Sequence, residues 1–367
     1  MRIAKDNTRE FLKRISRFVE SDGGRNLNEI SRSLSIPYQT IRFRMLHLGN
    51  QGISVQPVVN LEKLGLCRYR VSFNLSHDVT NYKSFFGGLH QKAGLAYYAR
   101  TEFSQTFDCE FFIPIQKKEE LGILLQALKE RKVIKNVEAS KVVWKELLGL
   151  RTEYYDYTHH QWDVDFSKLS GNPSVHREVK PSQEVEKFDR KDILLVKSLQ
   201  TSPWAKVTEL SEKLHVPEAD LAYHLNKHVF GRKLIHRFIL KWAGTKEAWA
   251  KHSTVMITLV FKDISDASMR YAMSVLTSIP FTWNHLRTES SLYMAELLVP
   301  VALLPEVMLY LSDSARLLDL APEVLFVDPY CLSTYTIPYL MYDHEKGWVF
   351  KAEGSLGHVL QMTRSLQ

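Results

Sequence analysis

The sequence predicts an α+β protein in which a small helical domain and a βαββαβ domain each occur twice along the chain. The segment from Leu27 to Pro37 recurs in residue type and spacing as Val207 to Pro217, about 180 residues later. Arg100-Thr101-Glu102 likewise returns as Arg287-Thr288-Glu289. A period of half the chain indicates two fused copies of a two-domain unit, because solenoid repeats are only about 20 to 50 residues long.

Three helices are predicted at the start of the first copy. Thr8 to Glu20, Asn26 to Leu34 and Pro37 to Asn50 each carry apolar residues at helical spacing, and Ser35-Ile36 makes the turn before the third helix. This arrangement is typical of a helix-turn-helix, whose recognition helix enters the major groove of DNA. The side chains expected to contact bases and phosphates from the third helix are Tyr38, Gln39, Thr40, Arg42, Arg44 and His47. Arg44 has an equally good alternative role, which is to pair with an acidic residue of the same domain.

The matching helix of the second copy differs at its first turn. Glu218 and Asp220 place carboxylates at the helix N-terminus, where they suit the helix dipole but repel phosphate, and His224 stands at the position of Arg44. The basic segment 231–237 predicts a hairpin wing that grips the DNA backbone instead. The DNA contacts expected from this copy are Tyr223, His224, Lys227, Arg232, Lys233 and Arg237. The first recognition helix is expected to dominate.

Positive charge is concentrated on the two helical segments. Residues 1–56 hold ten Lys/Arg against five Asp/Glu, and residues 188–243 hold ten against six, while the whole chain has a formal net charge of +7. The rest of the chain is therefore slightly acidic. This distribution favours contact with phosphate backbones over a chance excess of basic residues, since both copies share it.

Alternating and helical apolar patterns predict the order βαββαβ after each helical segment. In the first copy the predicted strands and helices are 67–75, 81–92, 95–102, 106–114, 117–131 and 133–143. In the second copy they are 253–261, 267–277, 281–289, 292–300, 303–316 and 324–327. Fusion would let the two sheets pair within one chain.

The segment from Thr40 to Ile53, followed by Val59 to Gly65, resembles the Lrp/AsnC (leucine-responsive) family of transcriptional regulators. In that family the recognition helix ends before a Gly-Val/Ile pair, and a V-D-P-x-x-L-G segment leads into the regulatory domain; Asn60-Leu61 replaces Asp-Pro here. The resemblance implies two winged helix-turn-helix domains and two ferredoxin-like, RAM-type domains in a pseudo-twofold tandem arrangement. The expected boundaries are winged helices at 1–56 and 188–243, RAM-like domains at 57–150 and 244–335, an aromatic tail and linker at 151–187, and an aromatic C-terminal tail at 336–367.

Effector binding is a further property that the resemblance implies, since many family members hold an amino acid between regulatory domains. Gln105-Thr106-Phe107-Asp108 stands where the family has G-x-y-D, so only Asp108 is kept as a candidate effector-binding residue. The second counterpart, Tyr293 to Glu296, keeps neither feature. The sequence therefore gives little support for a small-molecule effector, which we regard as doubtful. Self-association through the RAM-like domains is kept as an alternative.

Other residue patterns argue against several classes of protein. Cys67, Cys109 and Cys331 are scattered without Cys-x-x-Cys spacing, and adjacent His159-His160 lack further ligands at a recognisable spacing. The N-terminus lacks a signal peptide's apolar core, and charges and prolines interrupt the most apolar run. We expect a cytoplasmic protein without a metal, a cofactor or a membrane segment. The Tyr and Trp residues of the tails are expected to fill an edge or an interface in which one end of each ring stays in contact with water.

Together these patterns predict a sequence-specific transcriptional regulator that binds double-stranded DNA as a fused pseudo-dimer and is not an enzyme. The sequence shows no nucleophile, base and acid at catalytic spacing, which agrees with this interpretation. One alternative is a siroheme-decarboxylase-like enzyme, since such enzymes are similar to Lrp/AsnC proteins and use paired, non-identical copies. Its candidates for binding an acidic tetrapyrrole are His159, His160, His285, Arg100 and Arg287. The other alternative is a protein-interaction scaffold with degenerate DNA-binding domains.

Overall fold

The protein has a mixed α+β fold in a computed structural model. The structure describes residues 11, 13–16, 18–19, 27–50, 52–156, 161–169, 184–242, 249–250, 253–316 and 321–364. The helices are α1 (Leu27–Leu34), α2 (Tyr38–Asn50), α3 (Tyr82–Ala93), α4 (Lys118–Glu130), α5 (Arg190–Thr201), α6 (Val207–Leu214), α7 (Glu218–Tyr223), α8 (Asp266–Ser278), α9 (Leu304–Arg316) and α10 (Ala352–Arg364). A π-helical segment, His224–Phe230, continues directly from α7.

The strands give the order βαββαβ in each half of the chain, as the apolar patterns predict. The strands are β1 (Ser54–Val59), β2 (Leu66–Leu75), β3 (Leu95–Thr101), β4 (Phe107–Pro114), β5 (Ile134–Leu147), β6 (Tyr155–Asp156), β7 (Gln161–Trp162), β8 (Ile235–Lys241), β9 (Thr254–Phe261), β10 (Thr282–Thr288), β11 (Tyr293–Pro300), β12 (Glu323–Thr334), β13 (Tyr342–Asp343) and β14 (Gly347–Trp348). In the first half, α3 lies between β2 and β3 along the chain, and α4 lies between β4 and β5. In the second half, α8 lies between β9 and β10, and α9 lies between β11 and β12.

Eight of these strands form one closed barrel in the order β10-β11-β9-β12-β3-β4-β2-β5. The barrel closes because the last strand of each half is longer than predicted and changes partner. Residues 134–141 of β5 pair with β2, and residues 142–147 pair with β10 of the other half. In the same way, β12 pairs first with β9 and then with β3. The extra residues satisfy backbone groups that would otherwise be left at the edges of two separate sheets.

The two wing strands also pair with each other. β1 and β8 form a two-stranded antiparallel ribbon, with Ser54 opposite Lys241 and Val58 opposite Arg237. The prediction of a hairpin wing within segment 231–237 is therefore wrong. Among the described residues, a single wing strand directly follows each helix-turn-helix, so each wing strand finds its hydrogen-bonding partner in the other half of the chain.

Two helix-covered cores flank the barrel. Phe85, Phe86 and Phe111 lie in the core under α3 and α4, while Leu259 and Leu297 lie in the core under α8 and α9. Successive residues of a strand point to opposite faces, so the other face of each strand lines the interior of the barrel. The wing ribbon and the helix-turn-helix residues share a third core.

The aromatic tails pack at interfaces, as predicted. Trp162 makes edge contacts with Trp242 and Phe281, both from the second half of the chain. Trp348 crosses the other way, and its indole N–H donates to the carbonyl oxygen of Leu64 at 2.6 Å. Helix α10 then packs against α3 and α4. In the described ranges, no helix is long and apolar enough to cross a bilayer.

Candidate active site

A cleft of about 580 Å³ opens where the barrel meets the wing ribbon. Its walls come from the end of β5, the segment 148–153, strand β8 and the end of α8. The residues lining it are Lys13, Ser16, Glu146, Leu147, Leu148, Gly149, Leu150, Arg151, Thr152, Glu153, Arg237, Ile239, Thr277, Ile279 and Thr282. Elements of both halves meet here because β5 crosses to pair with β10.

Three cations line the cleft, namely Lys13, Arg151 and Arg237. The Arg237 guanidinium donates to the carbonyl oxygen of Leu147 at 3.1 Å and lies 3.8 Å from Glu146. Its buried Nε has no hydrogen-bond partner among the described residues. Arg151 donates to Glu153 at 2.6 Å and to the carbonyl oxygen of Thr277 at 3.1 Å. A buried donor without an acceptor costs about 1 to 3 kcal/mol, so the protein groups around Arg237 do not fully satisfy its guanidinium.

A histidine lies directly behind the cleft wall. His285 on β10 is fully buried, and its Nε2 is 3.2 Å from a carboxylate oxygen of Glu146. Its Nδ1 is 3.2 Å from the hydroxyl of Tyr293 on β11, and Trp144 contacts the ring edge-on at 5.0 Å. Burial, and after it the charge of Glu146, raises the pKa of the Tyr293 hydroxyl well above its usual value. The three groups therefore form a hydrogen-bonded chain from the core to the cleft.

The interior of the barrel holds a second polar feature, a buried ion cluster. Its members are Arg68, Arg70, Asp108, Glu110, Lys145 and Glu296. Arg70 pairs with Asp108 and donates to Glu296 at 2.9 Å, which joins strands from both halves. Burial raises the pKa of Asp108 to about 6 against the effect of Arg70. Three cations face three carboxylates, and this balance is what makes their burial tolerable.

Glu110 has the most strongly ion-paired carboxylate of this cluster. It accepts from Arg68 at 2.6 Å and from Lys145 at 2.7 Å. Burial alone would raise the pKa of Glu110, but Arg68 and Lys145 outweigh it and lower the pKa to about 2. The cluster does not line the cleft, and Asp108, the candidate effector-binding residue, is already occupied by Arg70.

Some of the residues predicted to contact DNA are exposed, and others make internal contacts. On α2, Gln39, Arg42 and His47 are exposed, and Tyr38 and Thr40 are partly buried. Arg44 instead stacks over the Phe11 ring at 4.5 Å, and its buried Nη1 has no hydrogen-bond partner among the described residues. Of the second set, Tyr223, Lys227 and Lys233 are exposed, while Arg232 donates to the carbonyl oxygen of Lys187. His224 is buried against Asp192 at 2.8 Å, and Arg237 lines the cleft.

The candidates for the enzyme alternative are not all brought together. His285 lies behind the cleft, as described above. Arg100 pairs with Asp328, and Arg287 pairs with Asp266 at 2.8 Å, so neither guanidinium lines the cleft. His159 and His160 lie outside the described residues. Arg151 and Glu146, which do line the cleft, carry no motif in the sequence and were missed.

The architecture is of the class that joins winged helix-turn-helix domains to ferredoxin-like domains. The chain is similar over 96% of its length, and over 98% of the other chain, to the siroheme decarboxylase NirDL, with a TM-score of 0.59 and 11% identity. NirDL in complex with an iron-uroporphyrin III analogue gives a TM-score of 0.57 and 12% identity, over 97% of this chain and 100% of the other. An AsnC-family regulatory protein from Pyrococcus furiosus covers 38% of this chain and 89% of its own, with a TM-score of 0.31 and 16% identity. No family model and no curated protein matches the chain.

These comparisons correct the functional prediction. The expectation of a DNA-binding regulator that is not an enzyme is wrong, because the likeness that runs the length of the chain is to a decarboxylase. The expectation that a small-molecule effector is doubtful is wrong as well, because NirDL, to which this chain is similar over 97% of its length, was solved in complex with an iron-uroporphyrin III analogue. A double-stranded DNA partner is not supported either. The wing strand β8 is tied to β1, and Arg232 and Arg237 make internal contacts instead of forming a free basic wing.

Proposed function

We propose that this protein is an enzyme that binds a polycarboxylated tetrapyrrole of the siroheme type and removes carboxyl groups from it. The observation that carries the proposal is the cleft, in which Lys13, Arg151 and Arg237 converge in front of the Glu146 and His285 pair. The likeness to NirDL over nearly the whole chain supports the proposal, since NirDL was solved in complex with an iron-uroporphyrin III analogue.

Decarboxylation defines what these residues would have to do. The bond between the side-chain carbon and the carboxylate breaks, CO₂ leaves, and the carbon keeps the electron pair and takes up one proton. Cations that hold the neighbouring carboxylates fix the substrate in one orientation. Glu146 would supply the proton at the cleft wall and take up its replacement from water in the cleft. His285, held from its other side by Tyr293, would position Glu146 for this transfer.

We also propose that the two halves arose by tandem duplication and are related by a pseudo-twofold axis. The recurring helix-turn-helix sequence, the repeated βαββαβ order and the reciprocal exchange of β5 and β12 support this view. Two protomers of a symmetric dimer would exchange strands in the same reciprocal way. Each half would then have kept its pairing role while the two heads diverged.

The binding step is tested by adding siroheme to the purified protein and following its Soret absorption. We expect a saturable shift, and Arg237→Ala should weaken binding by about 10- to 100-fold, because a charge-assisted hydrogen bond is worth about 1.5 to 3 kcal/mol. Lys129→Ala removes an exposed cation that does not line the cleft and serves as the control. An unchanged Soret band, or equal losses in both variants, would refute the proposed cleft.

The chemical step is tested by mass spectrometry of the tetrapyrrole after incubation. We expect loss of CO₂ from the substrate with wild type, and His285→Gln should slow it by about 100-fold or more, as is usual when proton transfer is impaired. The same variant should bind siroheme as wild type does and should show a changed pH profile of the rate. Intact substrate after prolonged incubation with wild type would exclude decarboxylation while leaving binding to be judged by the Soret shift.

A further inference from the structure

Three side chains that commonly bind metals converge in the second winged helix, outside the cleft lining. Asp192 Oδ1 lies 2.8 Å from His224 Nδ1 and 3.1 Å from His228 Nδ1. The Asp192 side chain is fully buried, and the histidine side chains are 8% and 15% exposed. Within the described ranges, these three form a group whose ligand atoms all lie within 4.8 Å of one another, close enough to share one ion.

Local helix geometry places the two histidines side by side. They are four residues apart in the π-helical segment that follows α7, and such segments are frequent at functional sites. Asp192 comes from α5, so the group connects two helices. Its Oδ2 accepts from the backbone N–H of Asp189 at 3.0 Å and also lies 3.0 Å from His228 Nδ1. Its Oδ1 lies within 3.1 Å of both histidine rings.

A second carboxylate supports the arrangement from behind. Asp220 Oδ1 lies 3.3 Å from the Nε2 of His224, and its other oxygen accepts from Lys191 at 2.5 Å. A histidine that binds a metal through one ring nitrogen usually donates its other N–H to a carboxylate, which fixes the tautomer and the ring orientation. Asp220 is in the right place to be that acceptor when Nδ1 of His224 binds the ion.

The first half of the chain has no counterpart of this group. Arg44 and Leu48 stand 180 residues before His224 and His228 in the repeated sequence, and Leu48 is buried in an apolar core. Placing an imidazole where the other half buries a leucine costs free energy unless its polar atoms are satisfied. The second half therefore keeps a buried polar trio that neither the packing of a winged helix nor the cleft requires.

We propose that Asp192, His224 and His228 bind one divalent transition-metal ion of the zinc type, with Asp220 orienting His224. Bonds of about 2.0 to 2.2 Å in tetrahedral geometry set ligand atoms about 3.4 Å apart. The observed separations of 2.8 and 3.1 Å would have to widen by about 0.6 and 0.3 Å to reach this geometry. Two imidazole nitrogens and one carboxylate oxygen suit Zn²⁺ and Co²⁺ better than Mg²⁺ or Ca²⁺. A water molecule would complete the coordination.

The ion would fasten α5 to the π-helical segment. Because a metal that binds only the folded state stabilises it by mass action, Zn²⁺ should raise the unfolding midpoint of the whole chain. This effect is independent of siroheme binding, so the site can be tested without any tetrapyrrole.

The experiment titrates the full-length, chelator-treated protein with Co²⁺ and follows the visible absorption bands of tetrahedral cobalt. We expect one equivalent to bind and Zn²⁺ to displace it. His228→Leu, which installs the residue of the first half, should abolish the bands, and Asp220→Asn should weaken binding by about 10- to 100-fold. His236→Gln, at an exposed histidine on the wing, is the matched control and should behave as wild type.

Two further measurements make the outcome decisive. A His159→Ala/His160→Ala double variant should retain the cobalt bands, because those histidines are not part of the proposed site. Zn²⁺ should raise the thermal unfolding midpoint of wild type and of His236→Gln but not of His228→Leu. The proposal is overturned if wild type develops no tetrahedral bands, if His228→Leu keeps them, or if the double variant loses them.

Discussion

Glu110 offers a quantitative test of the ion cluster inside the barrel. Its pKa is lowered from 4.5 to about 2, against the effect of burial, by Arg68 and Lys145. At 1.36 kcal/mol per pKa unit, the ionised form stabilises the fold by about 3 kcal/mol. Breaking a buried pair by removing one partner costs about 3 to 5 kcal/mol, so the two routes agree. We therefore expect Glu110→Gln to lower the free energy of unfolding by about 3 kcal/mol at pH 7.

The stability difference between wild type and Glu110→Gln should depend on pH. A carboxyl whose pKa is lowered by folding contributes its full stability above the unfolded value of 4.5 and loses it as the pH falls towards 2. The difference between wild type and Glu110→Gln should therefore be constant above about pH 5 and shrink below it. Urea unfolding followed by circular dichroism at several pH values measures this difference.

A matched substitution at the surface provides the control. Glu289 accepts from Lys141 at 3.0 Å, but the two side chains are 57% and 42% exposed. Such exposed pairs contribute only about 0 to 1 kcal/mol, so Glu289→Gln should change the unfolding free energy little. If Glu110→Gln costs no more than Glu289→Gln, or if its cost does not change with pH, the reasoning about the cluster fails.

Three other substitutions test two separate parts of the fold. Burial, against the opposing charge of Glu296, lowers the pKa of Lys241 from 10.5 to about 7, so the fold is destabilised below pH 7 and regains stability as the pH rises towards 10.5. Lys241→Met should therefore unfold at higher urea than wild type at pH 7, and the gap should narrow by pH 9; a constant gap would contradict the assignment. Gly94 has φ +73°, and a side chain there would collide with the carbonyl oxygen of Phe112. Gly94→Ala should therefore lower the free energy of unfolding, measured by thermal melts, by about 2 kcal/mol or more. Gly87→Ala lies in the middle of α3, where a methyl group meets no neighbour, and should raise the free energy of unfolding by about 0.5 to 1 kcal/mol in the same thermal melts. If both glycine substitutions change the stability in the same direction, this account is wrong.

The sequence predicted the local elements well because each depends on a short apolar period. The predicted strand 95–102 and helix 117–131, for example, agree with β3 and α4 to within a residue or two. The predicted last strands were too short, since residues 142–147 of β5 and 327–334 of β12 gain their partners only from the other half. A local pattern contains no information about a partner strand so far away in sequence.

The ion cluster and the cleft were harder to predict for a related reason. Alternation of Arg68 and Arg70 with apolar neighbours marks a polar strand face, but it does not tell whether water or a second sheet covers that face. The cleft needs β8, β5 and α8 together, and only the fold brings them together. The four-residue spacing of His224 and His228 is a visible signal in the sequence, but the helix-turn-helix pattern around His224 favours a DNA contact for that residue.

Because one polypeptide supplies the complete circumference of the barrel, every wall position is encoded separately. In an assembly of two identical subunits, a useful substitution on one side is unavoidably repeated on the other. Here the buried Arg70 pairs with Glu296 without a matching pair being required on the opposite side, and the partly buried His228 coexists with Leu48. The closed strand order thus permits a lopsided interior, in which one side can specialise for chemistry while the opposite side keeps the shape.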